Sequence, residues 1–318
     1  MTSEKSRIVR VAAVQMESKN GLVEANLEHA TPLVEQAARA GAQLILLPEF
    51  MPTGYTFSTA IWDGAEPGNG LTVQWLKANS KQLGIWLGTS FLEADGEHFF
   101  NTFVLATPDG GEAGRVRKQP PAAFEAFFTK SGSGAHVLDT ELGKIGVGIC
   151  YENELSYLLR MVHSQSVDLM LMPHATPAIA GIVFSLGELA PAYTRLLGVP
   201  SILCNQCGQW QSPYPGIPFY KSNSSLVGLS TITDSDGTIK AQLGNEERVI
   251  VEQVTLDPAR KILRPPRYYG RWALKGPWFR NAVIAIEALG RLWYILSWER
   301  KRKALRISAG EKKTTSSK

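Results

Sequence analysis

The first 50 residues alternate between apolar runs and an amphipathic stretch. Residues 8–16 form an apolar run typical of a strand, and residues 44–47 form a second one. The stretch between them has its apolar residues at helical spacing: Leu27, Ala30, Leu33, Val34, Ala37 and Ala38. The pattern predicts a strand, a helix that lays one face on the sheet, and a second strand of that sheet.

The same two periodicities continue to about residue 256. Helical spacing returns in three segments, at residues 71–83, 155–164 and 186–198. Further strands are predicted at 85–92, 99–106, the run that ends at Lys118, 144–149, 167–173, 200–205, 226–233 and 249–256. A short polar turn joins 85–92 to 99–106 as a hairpin, so a mixed sheet is expected. Alternating helices and strands indicate an α/β fold.

The last 50 residues follow a different pattern. The segment from Tyr268 to Leu296 is apolar, and Arg280, Glu287 and Arg291 fall on a narrow polar stripe. This arrangement predicts an amphipathic helix. A basic cluster follows at residues 300–303, and residues 312–318 are expected to form a disordered end.

Charge divides the chain at about the same place. Residues 1–259 carry 17 Lys and Arg against 26 Asp and Glu, a net charge of −9. Residues 260–318 carry 16 against three, a net charge of +13. The difference predicts two parts, a domain of residues 1–267 and a basic, tryptophan-rich extension of residues 268–318.

Composition limits the class and the location of the protein. A chain of 318 residues with 44% hydrophobic content can bury a substantial core. Three cysteines do not make a disulfide framework, and the N-terminus has no apolar run after its charges. We therefore expect no signal peptide and a cytoplasmic location, and the extension adds peripheral attachment to the inner face of the membrane as an alternative.

One cysteine stands where a nucleophile is expected. The apolar strand that begins near Lys144 ends at Cys150, and a polar, helix-compatible segment follows at once. This pattern predicts a sharp turn with the thiol at its tip, although an inert core thiol is the alternative for the cysteine taken alone. Because little of a free thiol is thiolate at neutral pH, catalysis would require a base and a donor for the oxyanion.

Two upstream positions supply these groups. Glu49 follows an apolar strand, where a carboxyl should have a raised pKa that suits a general base. Lys118 ends a short basic strand, and between two carboxylates it would stay cationic and stabilise an oxyanion. Glu125 is the candidate second carboxylate, with a position on a helix surface as its alternative. Because side chains supply the nucleophile, base and donor, no metal or organic cofactor is expected.

These three positions carry a resemblance to a known family. Glu49 after Leu-Leu-Pro, Lys118 after Gly-Arg-Val-Arg and Cys150 within Gly-Val-Gly-Ile-Cys-Tyr-Glu-Asn resemble the Glu-Lys-Cys triad of the nitrilase superfamily, the carbon-nitrogen hydrolases. The resemblance extends over residues 7–258. It implies a four-layer α-β-β-α sandwich, hydrolysis of a non-peptide C–N bond through a Cys thioester, and assembly into a homodimer or a higher homo-oligomer.

Four further residues are candidate substrate contacts. Tyr55 follows Glu49 closely, and the backbone N–H of Tyr151 is a candidate oxyanion donor. Glu152 is expected either to cap the segment after the nucleophile or to line the pocket. His174 follows the predicted strand 167–173, with an ordinary loop position as the alternative.

The resemblance favours amides over nitriles as substrates. The run Cys-Tyr-Glu-Asn at 150–153 is similar to the Cys-Trp-Glu-Asn of true nitrilases, but an aromatic-acidic pair also follows the cysteine in amidases and carbamoylases of the superfamily. Amide hydrolysis is the commoner activity there. Nitrilase, carbamoylase, amide-forming acyltransferase and a non-catalytic scaffold remain the alternatives.

The extension has two candidate roles. Its helix could pack on a partner subunit, or it could lie on an anionic membrane surface through residues 278–303, whose cations suit acidic lipid. Membrane association would favour a lipid-like amide as the substrate. Nucleic-acid binding is not expected, because the body is acidic and the extension is apolar.

Overall fold

The structure, a computed structural model, describes residues 5–178, 186–215, 217–276 and 278–311. The predicted disordered end, 312–318, lies outside the described residues. The strands are β1 (Arg7–Gln15), β2 (Leu44–Leu46), β3 (Glu66–Pro67), β4 (Trp86–Asp95), β5 (His98–Ala106), β6 (Glu112–Arg117), β7 (Val137–Thr140), β8 (Gly143–Val147), β9 (Leu169–His174), β10 (Ser201–Asn205), β11 (Gln209–Tyr214), β12 (Ile217–Ser225), β13 (Thr231–Thr233), β14 (Ile239–Gln242) and β15 (Arg248–Leu256). The α-helices are α1 (Val23–Arg39), α2 (Leu71–Leu83), α3 (Ser156–Ser164), α4 (Leu186–Leu197), α5 (Ala282–Leu296) and α6 (Trp298–Ser308).

Most of these strands belong to two mixed sheets. The first has the order β15-β1-β2-β4-β5-β6, with β3 beside β4, and the second has the order β14-β13-β10-β9-β8-β7. Strands β11 and β12 form a separate hairpin. Parallel pairs such as β1 with β2 and β8 with β9 are joined through helices, as the predicted strand-helix-strand units require.

The sheets face each other across the main core. In β1, Val9, Val11 and Ala13 pack into this core, whereas Ala12 and Val14 point to the opposite face and pack beneath α1 and α2. On the far side of the second sheet, a third core joins it to α3 and α4. Helix, sheet, sheet and helix form four layers, so the predicted α-β-β-α sandwich is confirmed.

The sequence prediction failed in several places. It missed the short strands β3, β7 and β14, and the helix expected from Tyr268 begins at Ala282. The prediction failed most near residue 220. It missed the hairpin of β11 and β12, whose residues are largely polar, and it extended a strand over 226–233, of which only β13 forms. The reason lies in the backbone, because Gly228 and Leu229 both adopt positive φ angles and interrupt any extended segment there.

The C-terminal extension packs on its own body. Gly290 of α5 is buried so closely that an added Cβ would lie 2.7 Å from the ring of Phe127, and Trp293 lies beside the rings of Phe127 and Trp62. The extension forms two helices, because Ser297 ends α5 and its side chain accepts a hydrogen bond from the Arg300 N–H at the start of α6. None of the helices within the described ranges is long and apolar enough to span a bilayer.

In an ordinary amphipathic helix the charged side faces solvent, but part of the charged stripe on the extension is buried. Arg280 and Glu287 are buried. Arg280 pairs with Glu154 of the body at 3.4 Å, and Glu287 pairs with Arg271 of the extension itself. These ion pairs turn part of the polar stripe inward. The large apolar side chains of α5 consequently face outward.

Candidate active site

Three charged side chains are buried together near the ends of β2 and β6, beside β5. The Lys118 ammonium, immediately after β6, lies 2.6 Å from Oε1 of Glu49 and 2.6 Å from Oε2 of Glu125. Glu49 follows β2, and Glu125 lies in the short 3-10 segment Ala123–Phe127. All three side chains are fully shielded from solvent. The structure therefore brings together residues that are 69 and seven positions apart in the chain.

Burial and pairing act in opposite directions on these charges. Burial alone would lower the pKa of Lys118, but Glu125 and Glu49 outweigh it and hold that pKa well above its usual value. Burial raises the pKa of Glu49, and only part of this effect is offset by Lys118. The lysine thus stays cationic, and the Glu49 carboxylate is a stronger base than an exposed one.

Sequence reasoning missed Asn101, which links the two carboxylates. Its side-chain N–H groups donate to Oε1 of Glu49 at 2.8 Å and to Oε1 of Glu125 at 3.1 Å. The signal was present, since an amide in the middle of an apolar strand must find polar partners once it is buried. The β5–β6 register, which pairs Thr102 with Arg117, then brings Asn101 level with Lys118.

Cys150 occupies the sharp turn that the sequence predicts after β8. It begins the 3-10 segment Cys150–Glu154 and has a φ of 52°, a left-handed conformation that costs a non-glycine residue about 1–3 kcal/mol. Gly148 makes the turn possible, because a Cβ there would lie 2.1 Å from Oδ1 of Asn153. Asn153 also donates to the carbonyls of Gly148 and Cys150 at 2.7 and 3.0 Å, which holds the turn closed.

The Cys150 thiol lies beside the charged cluster. Burial and the Glu49 carboxylate raise its pKa, so the resting group is a neutral thiol. The nearby thiol is one of the groups that lower the pKa of Glu49, and Oε2 of Glu49 has no hydrogen-bond partner among the described residues. The thiol also lies 3.8 Å from the Thr176 hydroxyl. A proton acceptor and a cation are thus both available to the sulfur.

Both oxygens of the Glu152 carboxylate already have hydrogen-bond partners within the protein. Its Oε1 accepts from the Gln119 N–H and interacts with Nε2 of His136, both at 2.7 Å, and it also accepts from the Tyr157 hydroxyl. Its Oε2 accepts from the Ile149 N–H at 2.8 Å. These contacts support the capping alternative, and they engage both oxygens of the Glu152 carboxylate.

The other three candidate contacts separate into two places. Tyr55 is buried, and burial is the main cause that raises its pKa. The charges of Glu125, Lys118 and Glu49 also act on that pKa. For His174 the effect of burial is in the other direction. Burial, with a contribution from the Lys118 charge, lowers its pKa to about 3, so the imidazole is neutral. The Glu49 N–H donates to the His174 carbonyl at 3.2 Å, and the Tyr55 ring stacks on that of Phe50, the residue after Glu49, so both residues lie near the cluster.

The side chain of Tyr151 points toward the extension. Its ring packs edge-on against Trp272, and its hydroxyl lies 3.4 Å from the Arg271 guanidinium, which in turn pairs with Glu287 of α5. Only the backbone of Tyr151 stays with the nucleophile turn. The structure thus leaves its N–H, and not its ring, as the candidate contact for substrate.

Comparisons with known proteins give a consistent result. A model of the carbon-nitrogen hydrolase family matches residues 10–263. The chain is 30% identical over 249 residues to the omega-amidase NIT2-A of Xenopus laevis, a match that covers 74% of this chain and 85% of the relative. It is 28% identical over 278 residues to an N-carbamoylputrescine amidase of Solanum lycopersicum, covering 80% and 89%.

A solved structure shares the fold. The crystal structure of Saccharomyces cerevisiae Nit3, a member of branch 10 of the nitrilase superfamily, matches with a TM-score of 0.69 and 26% sequence identity, covering 81% of this chain and 94% of that one. The family match ends at residue 263, so α5 and α6 lie beyond it.

Proposed function

The chain belongs to the carbon-nitrogen hydrolase family, and we propose that it is an amidase, which hydrolyses carboxylic amides through a thioester on Cys150. The observation that carries this proposal is the buried cluster of Glu49, Lys118 and Glu125 beside a strained cysteine. A purely structural ion cluster would not need a thiol at its edge in a left-handed turn. Strain and desolvated charge at one place are typical of catalytic sites.

Acylation follows from the positions of these groups. The Cys150 sulfur attacks the carbonyl carbon while Glu49 takes the thiol proton, so a C–S bond forms and the carbonyl becomes an oxyanion. An ammonium has three N–H donors, and Glu49 and Glu125 use two of those of Lys118. The third, with the Tyr151 N–H, stabilises the oxyanion. The C–N bond then breaks, and Glu49 returns its proton to the departing nitrogen.

Deacylation repeats these steps with water as the nucleophile. Glu49 takes a proton from the water as its oxygen attacks the thioester carbon, and Lys118 again stabilises the oxyanion. The C–S bond breaks, the carboxylic acid leaves, and the sulfur recovers its proton from Glu49. Glu125 and Asn101 keep the ammonium and Glu49 in position through both halves.

Mass spectrometry of the intact protein tests this function. Incubation with a panel of amides and nitriles should add an acyl mass to Cys150, and ammonia or an amine should be released with the free acid. The buried thiols Cys204 and Cys207 are internal controls that should stay unmodified. Acyl transfer to an added amine would indicate a transferase. An unmodified Cys150 with every compound would contradict catalysis by this thiol.

The acidic limb of the pH profile should belong to Glu49. Because burial raises its pKa above the ordinary value of 4.5, the carboxylate protonates and the base is lost while the pH is still above that value. We expect kcat/KM to fall with decreasing pH in that range. His174 titrates near 3, so His174→Gln should leave the position of the limb unchanged. A limb that moves in this variant would assign the titration to the imidazole.

A lipid-like amide is the narrower candidate substrate. We regard residues 1–267 as the hydrolase domain and 268–318 as an extension that would bring this domain to a bilayer. The outward-facing leucines and isoleucines of α5 support this choice. Amides with long acyl chains should then be turned over faster when they are presented in vesicles than as short-chain analogues in solution.

A further inference from the structure

Helix α5 presents an apolar stripe that nothing in the described structure covers. Its outward residues recur at helical spacing and are Ala285, Ala288, Leu289, Leu292, Ile295 and Leu296. The four large ones, with Trp298 at the start of α6, are between 57% and 74% exposed. A monomer in water does not usually display so many adjacent large apolar side chains, so the stripe indicates a binding surface.

Cations border this stripe on the same two helices. Arg291, Arg302 and Arg306 are exposed, whereas Lys301 and Lys303 pair with Glu97 and Asp63 of the body. Among the described residues of α5 and α6, Glu299 is the one exposed acid. The surface therefore combines apolar side chains, the exposed tryptophans Trp293 and Trp298 and an excess of arginine, which is the combination that suits the interface of an anionic bilayer.

The length and direction of α5 decide how it would meet a bilayer. Fifteen residues of helix extend about 22 Å, less than the roughly 30 Å of a hydrocarbon core. The helix is also fixed along the body by Gly290 and by the hydrogen bond from the Phe99 N–H to the Tyr294 hydroxyl. It can therefore lie on a membrane but cannot insert across it.

Charge favours lipid over a second copy of the chain. Pairing two copies through this surface would bring Arg291, Arg302 and Arg306 of both into one interface with few acids to match them. An anionic membrane instead attracts a segment with a net charge of +13 and repels a body with −9, which orients the protein with its extension toward the lipid.

We propose that the exposed surface of α5 and α6 docks on anionic phospholipid bilayers. A cavity of about 640 Å³ lies beside it, between the extension and the body, and its lining includes Ile295, Leu296 and Trp298. It is also lined by cations and by two acids, Glu97 and Glu287, which pair with Lys301 and Arg271. It offers space for part of one lipid. The docking does not depend on the thioester chemistry, so Cys150→Ala protein should bind vesicles as the wild type does.

Co-sedimentation with vesicles tests the docking. The full chain should bind vesicles that contain phosphatidylglycerol and bind pure phosphatidylcholine vesicles much more weakly, with binding lost as salt is raised. Leu292→Gln with Leu296→Gln should weaken binding by at least about tenfold. Arg302→Gln with Arg306→Gln should weaken it about fivefold for each cation removed. Truncation is less suitable, because it would also uncover Phe127 next to Glu125.

Matched controls exist elsewhere on the surface. Leu22→Gln with Leu263→Gln removes two exposed leucines, and Arg39→Gln with Arg248→Gln removes two exposed arginines. Both control proteins should bind like the wild type. Equal binding of neutral and anionic vesicles, or unchanged binding in both extension variants, would overturn the proposal. So would a wild-type dimer that ignores vesicles and dissociates in the leucine variant, because a second copy would then cover the stripe.

Discussion

Cys150→Ala should lower amide turnover by a factor on the order of 10⁵ or more, while the protein keeps its fold. The methyl group cannot form the thioester, and the remaining catalysis by Lys118 and the turn has no covalent intermediate to stabilise. Cys150→Ser should be nearly as inactive, because Glu49 must then take a proton from a much weaker acid than a thiol. Steady-state kinetics with an amide found in the panel gives both values.

The control for this loss is another cysteine. Cys207 is buried, its N–H donates to the Met16 carbonyl, and among the described residues no contact joins its thiol to Glu49, Lys118 or Glu125, so Cys207→Ala should retain turnover within a few-fold of the wild type. Far-ultraviolet circular dichroism and thermal unfolding of each variant separate lost chemistry from lost structure. Normal turnover by a folded Cys150→Ala protein would end the thioester mechanism and would leave the buried charges without a catalytic role.

Much of the chemistry of the site was visible in the sequence because Glu49, Lys118 and Cys150 each follow a recognisable strand, whereas Glu125 lies in a short 3-10 segment. An apolar run that ends near Glu49 and another that ends at Cys150 are local patterns. The strands β2 and β8 belong to different sheets, and the face-to-face packing of these sheets brings their ends together. A local pattern marks Asn101 as a buried amide that needs polar partners, but which partners it finds depends on the pairing of β5 with β6. Register is set by contacts across the sheet and not by composition within one strand.

The extension shows a second limit of the same kind. Its periodicity correctly predicts helix, but periodicity says which residues share a face and not which face is buried. The ion pairs of Glu287 with Arg271 and of Arg280 with Glu154 decide the orientation, and the latter pair joins residues 126 positions apart. An apolar stripe facing outward is the result, and only the folded body reveals it.

The structure also joins the extension to the site. Gly290 packs on the 3-10 segment that carries Glu125, and the pair of Glu287 with Arg271 reaches the hydroxyl of Tyr151, the residue after the nucleophile. Both the second carboxylate and the nucleophile turn therefore rest on residues beyond the matched family region. Removal of the extension would disturb the ion cluster as well as any docking surface.

Lys118→Met should destabilise the folded protein by about 3–5 kcal/mol and abolish turnover. The substitution keeps the length of the side chain but leaves the carboxylates of Glu49 and Glu125 buried without their cation. The pKa of Glu49, already raised by burial, would rise further, so the folded variant would hold a proton that the unfolded chain releases above pH 4.5. The free energy of unfolding decreases as the pH rises wherever the folded state binds more protons than the unfolded state. The deficit relative to the wild type should therefore be larger at pH 8 than at pH 5.

Denaturant unfolding at the two pH values measures this deficit, and two further variants locate its origin. Lys130→Met makes the same change at an exposed lysine and should alter stability by no more than about 0.5 kcal/mol. Adding Glu125→Gln to Lys118→Met removes one of the unpaired carboxylates, so it should restore part of the stability without restoring turnover. A Lys118→Met protein as stable as the wild type at both pH values would show that the two carboxylates are not held ionised by the lysine.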